Sequence, residues 1–328
     1  MTRALVTGAR GFAGGYLANH LAESGIAVTG WMRPKKGSGA ISTRSSEIAP
    51  DPFFNPSIQW LQLDLLDHNA VRLALADLKP TVVYHCAGAA HVGESFTAVR
   101  DTLADNVLGT HHLLDGLRLA GVSARVLITG SSLVYRQSEQ RLKEDDPMGP
   151  ATPYALSKLA QEMLGRRSIH EDGHQVFLSR SFNHIGPRQD QSYAAPGFAR
   201  QIALIEKGRL APQISVGNLE ASRDLHDVRD TVRAYRAIVE SGRPGTPYNV
   251  CSGRATKIRD VLDRLLEMCR VPVEVCVDEA KQRPHDNPVL VGDPSKIARE
   301  LGWKPSIALD RTLADLLDYW RKEVEEYR

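Results

Sequence analysis

The sequence predicts an α/β fold in which a doubly wound parallel sheet is followed by a smaller C-terminal region. Three observations carry this. A short apolar run, Ala4-Leu5-Val6, enters a turn containing Gly8, Gly11 and Gly14, and apolar residues then recur at helical spacing as Phe12, Tyr16, Leu17 and Leu21. Continuous apolar runs alternate with helical patterns as far as about residue 184, as in parallel strands covered on both faces. Beyond that point the rhythm gives way to segments rich in Arg, Gly and Pro. Together these describe a Rossmann-type doubly wound parallel sheet with a smaller C-terminal region.

Each element follows in turn. Gly25 stops the first helix, and 26–31 reads as the second strand. The Pro-, Gly- and Ser-rich stretch 34–56 reads as a long loop. Further strands are expected at 58–63, 81–86, 126–129, 176–180 and 248–250. Helical patterns separate most of them, at 71–78, 106–119 and 154–166, and later helices are expected at 198–206, 258–268 and 309–322. A chain of 328 residues suits about two domains at roughly 150 residues each. The expected division is a cofactor domain over 1–183, with return segments near 220–250 and 290–298, interleaved with a substrate region over 184–328.

Charge narrows the partners. Forty-one basic residues face 39 acidic ones, a formal net charge of +2, so there is no global basic field for nucleic acid. No run of 18 apolar residues is present, which argues against an ordinary membrane-spanning helix. Cys86, Cys251, Cys269 and Cys276 form neither CxxC nor a zinc pattern, and His111-His112 lacks ligand spacing, so no metal site is expected. The N-terminal residues have no apolar signal region, and cytoplasm is the expected location.

The turn Thr7-Gly8-Ala9-Arg10-Gly11-Phe12-Ala13-Gly14 is a GxxGxxG between strand and helix. Glycines there let backbone N–H groups approach a pyrophosphate at the positive helix end, although any tight strand-to-helix turn also needs glycine. An NAD-selective site places Asp or Glu at the end of the second strand to receive the ribose 2′-hydroxyl. This chain has Met32 there, followed by Arg33, Lys35 and Lys36, with Arg10 in the turn. That cluster suits a 2′-phosphate and therefore NADP(H); a solvated basic loop with less selective NAD(H) binding is the other reading. Asp64 and Leu65, after the third strand, are placed to receive the adenine.

Tyr154 and Lys158 form a YxxxK pair at the start of a helix after Pro153. Residues at i and i+4 share a helix face, so an ammonium lies beside a phenol, favours phenolate and lowers the tyrosine pKa. Tyr154 then exchanges a proton with a carbonyl or hydroxyl as hydride moves. Upstream, the strand end Thr129-Gly130-Ser131-Ser132 lies where open α/β sheets bind ligands. Ser131 is the candidate that hydrogen-bonds the substrate oxygen, with Ser132 the alternative, and either serine can instead cap a turn.

TGARGFAG, SSLVY and YALSK together resemble the extended short-chain dehydrogenase/reductase superfamily, in its nucleotide-sugar branch. So do Asp64, the segment His85–His91, Asn106 in DNVLGT, and Asn183-His184-Ile185-Gly186-Pro187. Gly217-Asn218-Leu219-Glu220 with Arg223-Asp224, His226–Asp230, Tyr248–Gly253 and Arg283–Asp286 are similar to the GDP-mannose dehydratase and GDP-4-keto-6-deoxymannose reductase group. The resemblance implies cofactor contacts at Gly8, Gly11, Phe12, Gly14, Ala87, Ala89, Tyr154 and Lys158. It places Asn183 near the sugar or diphosphate, Arg223 and Arg283 on the diphosphate, and Arg200 near the nucleotide. Asp286 stands where the group commonly has a glutamate for ribose hydroxyls.

Dehydratases of that group carry a glutamate two residues after the strand-end hydroxyl, whereas this chain has Leu133. A 4,6-dehydration needs that extra acid/base group; reduction of a C4 ketone does not. The expected activity is therefore NADPH-dependent reduction of a GDP-4-keto-6-deoxy sugar, either the mannose form or an analogue such as a 6-deoxyheptose. The alternatives are a 4-epimerase, the dehydratase itself, and a non-catalytic NADP-binding protein. By resemblance, the helices at 106–119 and 154–166 form a homodimer interface.

Overall fold

The computed structural model describes residues 2–34, 51–281 and 287–326. The first half builds a parallel sheet from β1 (Arg3–Thr7), β2 (Ala27–Met32), β3 (Gln59–Gln62), β4 (Val82–His85), β5 (Arg125–Ser131) and β6 (Gln175–Ser181). The intervening helices are α1 (Phe12–Glu23), α2 (His68–Leu78), α3 (Val99–Leu103), α4 (Gly109–Leu119) and α5 (Pro153–Asp172). Then come β7 (Asn183–Ile185), α6 (Ala194–Glu206), β8 (Gln213–Val216), β9 (Ser222–Asp227), α7 (Val228–Ser241) and β10 (Pro247–Val250). The chain closes with β11 (Ala255–Lys257), α8 (Ile258–Glu267), β12 (Glu274–Val277), β13 (Val289–Leu290), α9 (Ser295–Leu301) and α10 (Leu309–Glu326).

The main sheet has seven parallel strands in the order β10-β6-β5-β4-β1-β2-β3. Its apolar runs are continuous because successive residues serve opposite cores. Val6, Tyr84, Leu127 and Phe177 pack toward α1 and α7, while Leu5, Val83, Val126 and Ile128 pack toward α2 and α4. The order reverses between β1 and β4, and ligands bind outside the strand ends at such a switch point.

The C-terminal region has its own core, in which Phe198 and Ile202 of α6, Leu262 and Leu265 of α8 and Leu313 and Leu317 of α10 are buried around β8. A small sheet of β11, β9 and β13, with β7 also on β9, lies between the two cores. Three buried acids fasten it. Asp224 accepts hydrogen bonds from Ser252 N (2.6 Å), Ser252 Oγ (2.7 Å), Gly253 N (2.8 Å) and Gly292 N (3.2 Å). Asp227 caps α7 through Arg229 N (2.8 Å) and receives Thr312 Oγ1 of α10 (2.7 Å). Asp230 accepts from Ser306 N (2.9 Å) and Ile307 N (3.0 Å), holding the segment before α10.

Of the expected helices, 106–119 differs most. Residues Ala104–Leu108 form a π-helical turn between α3 and α4, so the helical run starts earlier and widens where Asn106 turns inward. Replacing Asp224 with Ala leaves three backbone N–H groups and a hydroxyl without their acceptor. Urea denaturation is expected to show a loss of about 3–5 kcal/mol, and an unchanged midpoint would contradict this account of the small sheet.

Candidate active site

At the end of β1 the chain turns through Gly8, whose φ of 67° is a left-handed conformation that suits glycine. A Cβ on Gly8 would lie 2.7 Å from the Ala87 backbone, and one on Gly14 would lie 2.3 Å from the Gly8 carbonyl oxygen. The glycines therefore bring three backbone segments into contact. Gly11 caps α1 with no side chain on the leading N–H groups, which leaves the positive helix end for an anion. Ala87 N donates to Thr7 Oγ1 (3.2 Å), and Ala89 O accepts from Asn106 Nδ2 (3.1 Å), so the loop after β4 lies beside the turn. Phe12 stacks on His184 of β7 with centroids 5.8 Å apart. These residues form a cradle that a dinucleotide pyrophosphate fits.

Arg33 follows β2 at the sheet edge, but its guanidinium pairs with Asp105 (2.8 Å) and lies 3.7 Å from Asp64. Asp64 also accepts from Leu66 N (3.0 Å), and the Leu65 carbonyl accepts from His112 Nδ1 (2.9 Å). Arg10 leans over the Phe54 and Trp60 rings at 5.2 and 5.4 Å, 3.9 Å from Asp51. Each arginine thus has an acidic neighbour. Lys35 and Lys36 lie outside the described residues.

Thr152 caps α5 by accepting from Ala155 N (3.0 Å), and Pro153 begins the helix. This sets Tyr154 and Lys158 on one face, with the ammonium nitrogen 5.9 Å from the phenol ring centre. Ser131, at the end of β5, hydrogen-bonds the Tyr154 phenol. The Ser131 hydroxyl also accepts from Leu133 N (3.2 Å). Ser132 is buried beside it.

The expected lowering of the phenol pKa is not what the structure shows. Burial pushes Tyr154 well above the ordinary phenol range, and the Ser131 hydrogen bond offsets only part of this. Lys158 is the group that shifts down, to about 8, because burial disfavours its charge. Its ammonium donates to the Thr129 carbonyl (3.0 Å) and to Gln161 Oε1 (2.8 Å). Gln161 is absent from the sequence-derived candidates; its place three residues after Lys158 on the same helix face is the signal that identifies it.

Residues 5–316 match the family described as GDP-mannose 4,6 dehydratase. The chain belongs to this family. It is 34% identical over 327 residues to the GDP-6-deoxy-D-mannose reductase of Pseudomonas aeruginosa, covering 99% of each chain. It is 26% identical over 351 residues to a GDP-mannose 4,6-dehydratase of Yersinia enterocolitica, covering 97% of this chain and 93% of that one. The solved structure of RMD from Pseudomonas aeruginosa complexed with NADPH superposes with a TM-score of 0.81 at 32% identity, covering 98% of this chain and 100% of that one.

The remaining sequence-derived candidates lie in the C-terminal half and the strand after β6. Asn183 begins β7 and is exposed. Arg223, on β9, donates to the Ser222 carbonyl (2.9 Å) and the Asn287 carbonyl (2.6 Å). Arg283 and Asp286 lie outside the described residues. Arg200 packs elsewhere: its guanidinium sits 5.9 Å from the Trp320 ring of α10. Leu133 packs against the apolar cluster of Val134, Tyr135, Leu142 and Phe182.

Gly14→Ala is expected to push the turn off α1 and weaken NADPH binding by about tenfold or more, the equivalent of one lost charge-assisted hydrogen bond. Isothermal titration with NADPH measures it; wild-type affinity in this variant would contradict the cradle.

Proposed function

We propose that this protein reduces the C4 ketone of a GDP-4-keto-6-deoxy sugar to the alcohol, using NADPH. The observation that carries this reading is the placement of Tyr154 beside Lys158 on one helix face, its phenol held above the ordinary range by desolvation, with Leu133 two residues after Ser131 at the strand end. When bound, NADPH supplies the hydride that the C4 carbon takes up. Tyr154 gives its phenolic proton to the ketone oxygen, and Ser131 holds that oxygen by a hydrogen bond. The Lys158 ammonium stabilises the phenolate left behind. Full-length similarity to a GDP-6-deoxy-D-mannose reductase, and to a structure complexed with NADPH, supports the same reaction and cofactor.

A 4,6-dehydration asks for a further acid/base group to remove the C5 proton and release the 6-hydroxyl. Leu133 has no proton to exchange, which favours reduction over the chemistry of the dehydratase relatives. Gly8, Gly11, Phe12 and Gly14 would cradle the pyrophosphate, with Ala87 and Ala89 lining the loop beside it. Asp64 and Leu65 would meet the adenine, and Arg10 and Arg33 the 2′-phosphate. Asn183 and Arg223 would hold the sugar diphosphate, Arg283 is proposed for the diphosphate and Asp286 for the ribose hydroxyls, and Ser132 would lie beside Ser131. Arg200, stacked on Trp320, would reach the nucleotide only from the α6 side. Cys86, Cys251, Cys269 and Cys276 are free thiols, which suits the cytoplasm. No helix among the described residues is long and apolar enough to cross a membrane.

The test is an assay with GDP-4-keto-6-deoxymannose and either NADPH or NADH. NADPH oxidation with the 6-deoxy sugar formed is the expected result, and no oxidation of either cofactor would refute the reading for this sugar. Tyr154→Phe is expected to lower turnover by about a hundredfold or more while NADPH still binds.

We also propose a homodimer. Phe96, Val99, Leu108, Leu156 and Met163 are each at least 40% exposed on α3 to α5 and the turns beside them, an apolar face that a second copy of the chain suits. The double variant Leu156→Glu/Met163→Glu is expected to halve the mass read by light scattering. A wild-type mass of one chain would end this part of the proposal.

A further inference from the structure

Lys158 is buried, and among the described residues no carboxylate pairs with it. The groups that face it are His85 of β4, Cys86 just after that strand and Tyr154 of its own helix, with Tyr235 of α7 near Cys86 and Tyr154. None carries negative charge at neutral pH. Burial pushes the Cys86 thiol up to about 12 and raises both phenols, while His85 is driven down to about 3 and stays neutral. The ammonium therefore relies on neutral acceptors, the Thr129 carbonyl and Gln161 Oε1.

The orientation of the Gln161 amide is fixed by a chain of donors and acceptors that has a single consistent direction. Thr110 Oγ1 donates to the Asn106 carbonyl (2.6 Å), so it can only accept from Gln161 Nε2 (2.6 Å) and from His85 Nε2 (2.9 Å). His85 is thereby set as the Nε2–H tautomer, and its Nδ1 accepts from Thr7 Oγ1 (2.8 Å). Thr7 Oγ1 in turn accepts from Ala87 N (3.2 Å), at the edge of the glycine cradle. With Nε2 bound to Thr110, Gln161 has only its carbonyl oxygen to offer Lys158. Every member of this chain is buried except Ala87, which is half-buried.

We propose that Gln161 is a positioning residue for Lys158, its carboxamide locked by Thr110 and His85 so that the ammonium is held on a neutral acceptor facing Tyr154. The proposal rests on the reductase reading, in which Lys158 keeps its proton while Tyr154 gives up its own. A neutral acceptor keeps the cation charged at neutral pH without tying it into an ion pair. A carboxylate at 161 would pin the proton, and an apolar side chain would release it.

The experiment is the pH dependence of kcat/KM for ketone reduction in the wild type, Gln161→Glu and Gln161→Leu. Activity falls as pH rises and Lys158 loses its proton, with a basic limb near 8 in the wild type. Gln161→Glu is expected to move that limb up by about one unit or more, and Gln161→Leu to move it down by about one unit. Thr110→Val, which keeps Gln161 but removes its lock, is expected to move it down by a smaller amount. A purely structural role lowers kcat or stability with the limb unmoved, and that result in all three variants overturns the proposal. The same midpoints are read without catalysis by NMR titration of 13C-labelled lysine in the cofactor-free protein, the Lys158 signal being the one lost in Lys158→Arg. If the wild type reduces no GDP-4-keto sugar, the reductase reading fails, while the NMR midpoints still decide on Gln161.

Discussion

The contact between the Gly8 carbonyl and Gly14 governs the geometry of the whole first half of the chain. With 2.3 Å available where a Cβ would go, α1 can lie against β1 only if position 14 has no side chain. The same approach presses Gly8 onto the Ala87 backbone and so fixes the spacing of the loops after β1 and β4. Those loops flank the point where strand order reverses, and the crevice exists because they cannot collapse into it. From Thr7, at the foot of this turn, side-chain hydrogen bonds run through His85 and Thr110 toward the catalytic helix. Cofactor cradle and proton donor are thus two ends of one packed unit.

The C-terminal half depends on a different kind of constraint. Its strands are three to six residues long or shorter, too short to hold themselves in register by sheet bonding alone. Buried carboxylates take over that task. Asp224, Asp227 and Asp230 are all fully buried, and each accepts hydrogen bonds from a chain segment remote in sequence. A buried carboxylate left unpaired is costly, so these bonds select one arrangement of the segments. Arg180 and Glu162 do the same between β6 and α5, with paired bonds of 2.9 and 2.8 Å. The near-neutral net charge conceals this, because the acids and bases that matter are withdrawn from solvent.

The main sheet was legible because its strands are apolar on both faces, so 81–86 and 126–129 read as strands without help from alternation; they are observed as Val82–His85 and Arg125–Ser131. The glycine turn and the YxxxK pair were legible because spacing alone places them on an element end and a helix face. The short strands β8, β12 and β13 were not, since two to four residues are too few to give a periodic signal. The Arg223–Asp230 stretch was read in sequence as a family motif with Arg223 as its ligand candidate, and the fold adds a structural task for its acids, Asp224, Asp227 and Asp230. Arg33 looked like a free cation, but Asp105, 72 residues away in sequence, reaches it through the fold. The phenol shift had the wrong sign in sequence because helical spacing gives proximity but not burial, and here burial dominates.

That dominance bears on the direction of the chemistry. A phenol raised by burial holds its proton until a stronger base forms next to it, and the alkoxide produced when a ketone accepts hydride is such a base. A lysine lowered by burial, resting on an amide and a backbone carbonyl, can strengthen its interaction with phenolate at the moment the negative charge appears, because no carboxylate competes for it. Elimination needs a second proton carrier on the strand end, where Leu133 instead extends the apolar cluster around Tyr135 and Phe182. In the proposed reduction the site makes a single proton delivery from Tyr154, and the strand end supplies a leucine where a second carrier would stand.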